Sequence, residues 1–186
     1  VLLSAAPALG QAVGSRAPEI AFEKSAQGRS ASELTLENLK ENVVFLEFWA
    51  TWCGPCLASM PHLTELAEHF QNEDITFLLI TDEDGKKIDR FLKARDLPGN
   101  VVIDTDRSVF EAYSVGAIPR SIIIGRDGTV LADTHPAEVT EQMLAAMLDG
   151  TYKPEPPKPQ AESQPAADGT VKPSIELFIP GFEPEV

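Results

Sequence analysis

The sequence predicts an α/β domain in which helices cover both faces of a sheet, and three observations predict it. Between residues 18 and 149 strand-like and helix-like patterns alternate along the chain. Residues 43–49, VVFLEFW, are apolar on both alternating faces, as a central strand covered on each side requires. Immediately afterwards Leu57, Met60, Leu63, Leu66, Ala67 and Phe70 recur at three- and four-residue spacing, the stripe of an amphipathic helix over residues 55–70. A chain of 186 residues, 43% hydrophobic and 24% charged, is long enough to bury one such core.

The remaining elements follow in order. Residues 1–12, VLLSAAPALGQA, are apolar, small and uncharged, with Gly10 and Ala12 resembling a signal-peptidase site. Residues 1–14 are therefore read as a leader or signal-peptide remnant, which implies export. Residues 20–22 and 34–36 are expected to form a small hairpin ahead of the 43–49 strand. Pro61 should kink the 55–70 helix, since a proline inside a helix removes a backbone donor. Residues 75–80 form the next buried strand, and 85–95 the next helix, with Ile88, Phe91 and Leu92 on one face. Leu97-Pro98-Gly99 ends it. Residues 101–103 make a short strand and 108–113 a short helix. Residues 120–124 and 129–133 make a hairpin turned by Arg126-Asp127-Gly128, and 136–148 a closing helix. The domain spans residues 15–150. Beyond it, eight of the 15 prolines fall in residues 151–186, marking a linker or tail in which 174–179 alternates enough to be a docking strand.

Charge and cysteine arithmetic narrow the function. A formal net charge of -14 argues against nucleic-acid binding, because phosphates are repelled by an acidic surface. The two cysteines, Cys53 and Cys56, are too close in sequence to staple distant parts of a fold, so they are a local device.

Disulfide exchange needs an accessible thiolate and a second thiol beside it, and Trp52-Cys53-Gly54-Pro55-Cys56 supplies both. Cys53 falls where the 43–49 strand gives way to the helix, and free backbone N–H groups there stabilise an anion. Such placement brings a thiol pKa from about 8.5 into the range of about 3.5 to 7.5. Cys56 lies one turn further in, close enough to bridge Cys53 and more shielded, as a resolving thiol should be. Pro55 suits the first turn of a helix, and Gly54 lets a partner's backbone pass closely. Half of a zinc site is the competing reading of the pair. A second pair is missing, however, and His62 and His69 do not meet finger spacing, so no metal is expected.

Phe48-Trp49-Ala50-Thr51-Trp52-Cys53-Gly54-Pro55-Cys56 resembles the active-site signature of the thioredoxin superfamily. With Pro61 and Ala117-Ile118-Pro119, the chain most resembles the exported TlpA/ResA-like thiol:disulfide oxidoreductases over about residues 18–149. The resemblance implies a thioredoxin fold, a central mixed sheet flanked by helices on both faces, with an N-terminal extension. It implies that Pro119 is cis and that the backbone of Ile118 is offered to an extended substrate. It further implies that Glu47 is a buried acid able to exchange a proton with Cys56 through water, and that Trp52 packs beside the cysteines and shields the thiolate. No cofactor beyond the Cys53–Cys56 disulfide is expected. Protein thiols and disulfides are the expected partners, with a membrane thiol as electron donor and a periplasmic or other extracytoplasmic location. Two departures carry weight. Ser59 stands where ResA-like proteins often have a glutamate, which makes Glu47 the acid of choice, and Gly54-Pro55 resembles the dipeptide of reducing thioredoxins. Other readings are a peroxiredoxin-like peroxidase, whose threonine and arginine setting is missing around Cys53, and a peptide-binding module using the Ile118-Pro119 groove.

Overall fold

The structure, a computed structural model, describes residues 13–154. Residues 1–12 of the leader expected over 1–14, and the expected strand at 174–179, lie outside the described residues.

Among the described residues six strands and four α-helices follow in chain order: β1 (Lys24–Gln27), β2 (Val43–Phe48), α1 (Gly54–His69), β3 (Ile75–Thr81), α2 (Gly85–Leu92), β4 (Asn100–Ile103), α3 (Ser108–Ala112), β5 (Arg120–Ile124), β6 (Val130–Thr134) and α4 (Glu141–Leu148). They build one mixed sheet of order β1-β4-β3-β2-β5-β6. β2, β3 and β4 run parallel, while β5, β6 and β1 run antiparallel to their neighbours. All six residues of β2 are buried, which accounts for its apolar character on both faces.

Alternation along β2 divides the core. Val43, Phe45 and Trp49 point to one side and pack with Leu63 and Leu66 of α1, Ile88 of α2, and Leu144 and Met147 of α4. Val44, Leu46 and Phe48 point to the other and pack with Phe110, Tyr113, Ile20, Leu34 and Leu39. The chain steps from β2 to β3 to β4 in one direction across the sheet, so right-handed crossovers place α1 and α2 on the same face. α3 covers the opposite face.

The structure corrects two expectations. Residues 20–22 and 34–36 form no hairpin. The first strand is β1, which pairs with β4 at the sheet's edge, and Ala31–Glu33 is a single 3-10 turn. Ile20 and Leu34 are buried as plugs beneath the sheet rather than as strand residues. The closing helix is also divided. Pro136–Glu138 is a 3-10 turn, Val139 is extended, and α4 begins only after Thr140, whose side chain accepts from Met143 N–H at 3.2 Å. α1 itself runs through Pro61 as one helix.

At the amino end, residues 14–17 form a strap beside the start of β6. Gly14 N–H donates to the Val130 carbonyl at 2.8 Å, Val130 N–H to Ser15 at 2.9 Å, and Ala17 N–H to Gly128 at 2.9 Å.

Candidate active site

The site begins where β2 runs out. Trp49 N–H still donates to the Ile80 carbonyl at 3.0 Å, extending the ladder by one residue, and the chain then turns, with Cys53 N–H bonded to the Ala50 carbonyl at 3.1 Å. Cys53 is the N-cap of α1. Its backbone is extended (φ -82°, ψ 97°) and its Sγ accepts the N–H of Cys56 at 3.2 Å. A cap position normally held by serine or aspartate is thus held by sulfur, and any negative charge there meets a backbone donor and the positive end of a 16-residue helix. Cys53 and Cys56 are joined in a disulfide with Cα atoms 5.2 Å apart. Cys53 keeps 4% of its surface exposed and Cys56 none, so both residues are buried in the disulfide form. Gly54 and Pro55 beside them are exposed.

Ile118-Pro119 is a cis peptide, as the resemblance implies. Ile118 packs against the core cluster that contains both cysteines, and because Arg120 pairs with Phe48 the cis peptide lies beside the end of β2. Arg120, next in the chain, is tied to Asp133 by Nε at 2.7 Å and to the Ser114 carbonyl by Nη1 at 2.8 Å. Ser59 donates to the Pro55 carbonyl at 3.2 Å within α1.

Glu47 is fully buried on β2, on the same face as Phe45 and Trp49. It pairs in register with Ser121 of β5, whose hydroxyl donates to Oε2. Oε1 has no hydrogen-bond partner among the described residues. Burial pushes the carboxyl up to about 8 against the opposing pull of the Ser121 hydroxyl, so Glu47 holds a proton at neutral pH.

Trp52 directly precedes the cysteine pair in the chain. Its side chain is 68% exposed and is the large hydrophobic residue left in solvent among the described residues.

Sequence reasoning missed Glu83. This residue follows β3 and is buried, with Oε2 accepting the Thr51 N–H at 2.5 Å and Oε1 the Thr51 hydroxyl at 2.8 Å. Lys87 Nζ pairs with the same carboxylate. Burial pulls the carboxyl upward, but the hydrogen bonds from Lys87 and Thr51 outweigh it and hold Glu83 below the usual range, hence ionised. One signal was available: ligands and functional groups gather at the carboxyl ends of parallel strands, and Glu83 lies two residues past such an end.

Residues 12–148 match the Redoxin family. The chain belongs to that family. Among the relatives of this Redoxin, the thiol-disulfide oxidoreductase ResA of Bacillus subtilis is 32% identical over 119 residues, covering 63% of this chain and 64% of the relative. The chain therefore spans somewhat under two thirds of that relative's length. A structure from Chlorobium tepidum, proposed to be a thiol:disulfide interchange protein DsbE, is 27% identical with a TM-score of 0.65, covering 75% of this chain and 99% of that one. A solution structure from Bacteroides thetaiotaomicron, proposed to be a protein disulfide isomerase, is 25% identical with a TM-score of 0.63, covering 76% of this chain and 95% of that one. The Redoxin domain has the thioredoxin fold, and its likeness is to the ResA/TlpA group within that superfamily.

Proposed function

We propose that this Redoxin is a thiol:disulfide oxidoreductase that reduces disulfides of proteins outside the cytoplasm. The observation that carries the reading is Cys53, whose sulfur caps α1, accepts the Cys56 N–H, and is bonded to the Cys56 sulfur.

In the reduced protein the Cys53 thiolate attacks one sulfur of a client disulfide. A Cys53–client bond forms, the client S–S bond breaks, and the client's other sulfur leaves as a thiolate that takes up a proton. Cys56, deprotonated in turn, attacks Cys53 and displaces the client's second sulfur. The client ends as a dithiol and the protein as the Cys53–Cys56 disulfide, two electrons having moved. No bound cofactor takes part. The ionised fraction of Glu47 takes the Cys56 proton through an intervening water, and its carboxylic acid form returns it. The backbone of Ile118 beside Pro119, with Gly54, Pro55 and the open face of Trp52, receives the client chain.

The reducing direction rests on the Gly54-Pro55 dipeptide and its likeness to reducing thioredoxins, and the location on the apolar leader. A thiol donor in the membrane would return the protein to its dithiol form.

Replacing Cys53 by serine should abolish reduction of insulin disulfides, whereas Cys56→Ser should leave clients covalently attached, visible as reductant-sensitive adducts on gels. Insulin reduction at the intact rate by Cys53→Ser would overturn the reading.

A further inference from the structure

Thr51 stands two residues before Cys53, in the turn that carries the chain from β2 into α1, and its backbone N–H belongs to neither ladder. Left unpaired in a half-buried position, that donor would cost roughly 1–3 kcal/mol. Glu83 takes it, and the same carboxylate also takes the Thr51 hydroxyl, so one residue is gripped at its main chain and side chain together. The grip is itself fixed. Thr81 Oγ1 approaches Glu83 Oε2 at 3.5 Å, and Lys87 on the first turn of α2 neutralises the carboxylate. β3 and β2 lie side by side in register up to Phe48↔Ile80, so the carboxylate reaches across from one strand end to the next.

The consequence falls on sulfur. Cys53 can cap α1 only while its backbone stays extended and its N–H stays on the Ala50 carbonyl, and Thr51 lies between those two residues. We propose that Glu83 is a positioning residue for disulfide exchange, holding Thr51 so that the turn delivers the Cys53 sulfur onto the backbone N–H groups at the start of α1. This rests on the exchange reading above. Glu83 touches neither sulfur; it acts through Thr51.

Charge and geometry predict opposite results, which makes the inference testable. If Glu83 acted only as a nearby negative charge, removing it would favour the Cys53 thiolate. If it positions the turn, removing it would disfavour the thiolate. The full chain carrying Cys56→Ser would be titrated by ultraviolet thiolate absorbance, with thermal unfolding measured alongside. Glu83→Ala is expected to cut the thiolate-to-thiol ratio near neutral pH, and with it the rate of mixed-disulfide formation, about tenfold. Glu83→Gln keeps a carbonyl that accepts from Thr51 and should stay within about twofold of the parent. Thr51→Val keeps the N–H and side-chain shape but loses the hydroxyl, and should show a smaller fall of about threefold; it carries the test if Glu83→Ala does not fold. A thiolate ratio that rises in both Glu83 variants overturns the proposal, as does one unchanged in Glu83→Ala while the melting temperature drops, or unchanged in Thr51→Val. Any of these, with Cys53→Ser still inactive on insulin, defeats the positioning role and leaves the exchange reading intact.

Discussion

Glu47 holds its proton because the sheet gives its carboxylate too little in return for lost water: one hydroxyl from Ser121, and no partner at Oε1 among the described residues. Its pKa of about 8 in the folded protein exceeds the ordinary 4.5, so between those values the folded state binds a proton that the unfolded chain has released. Stability from this group is full below about pH 4.5 and is lost as pH rises towards 8, with a slope of at most about 1.4 kcal/mol per pH unit. Oxidised protein should therefore melt at lower temperature at pH 8 than at pH 5, and Glu47→Gln should flatten that trend, both readable by calorimetry. An equal decline in the two proteins would show that Glu47 is ionised throughout. The acid was visible in the sequence because a lone charge interrupts VVFLEFW. Its partner was not, since Ser121 is an unremarkable serine until antiparallel pairing sets it opposite.

α3 is an element the chain could not sustain locally. Five residues make barely more than one turn, too short for an isolated helix to persist. Asp104 compensates from the end of β4: buried, it accepts the N–H groups of Val109 (3.1 Å) and Phe110 (2.9 Å) and the Ser108 hydroxyl (3.1 Å). Asp104→Ala should cost about 1–3 kcal/mol, seen as a lower urea midpoint with unchanged slope. A midpoint that stays put would mean that Phe110 and Tyr113 packing holds α3 unaided. Elements with a strong period, such as β2, α1 and β3, were legible because burial on both faces or along one stripe writes itself into residue order. β1 was not: KSAQ has no apolar alternation, since an edge strand buries little, and the hydrophobics at 20–22 and 34–36 drew the reading away from it. The same limit hid Glu83, whose role exists only because Thr51, 32 positions earlier, lies across the gap between two strand ends.

At the scale of the whole molecule, β2 is the seam between two kinds of pairing, parallel towards β3 and β4 and antiparallel towards β5 and β6. The cysteines, Glu47, the cis peptide and Glu83 each lie on or beside β2 or a strand bonded to it. A net charge of -14 disfavours close approach of two copies. Charge alone does not guard the backbone, however. β6 closes one side of the sheet, and an open row of amides and carbonyls on such a margin invites another chain to add itself. The strap at residues 14–17 occupies the beginning of that margin. Shortening the protein to start at Pro18 should accordingly promote self-association, detectable as heavier species in sedimentation, while identical sedimentation would mean the margin is harmless uncovered. The amino-terminal extension would then be a guard against polymerisation, contributing to solubility in a way that no comparison of catalytic rates would register.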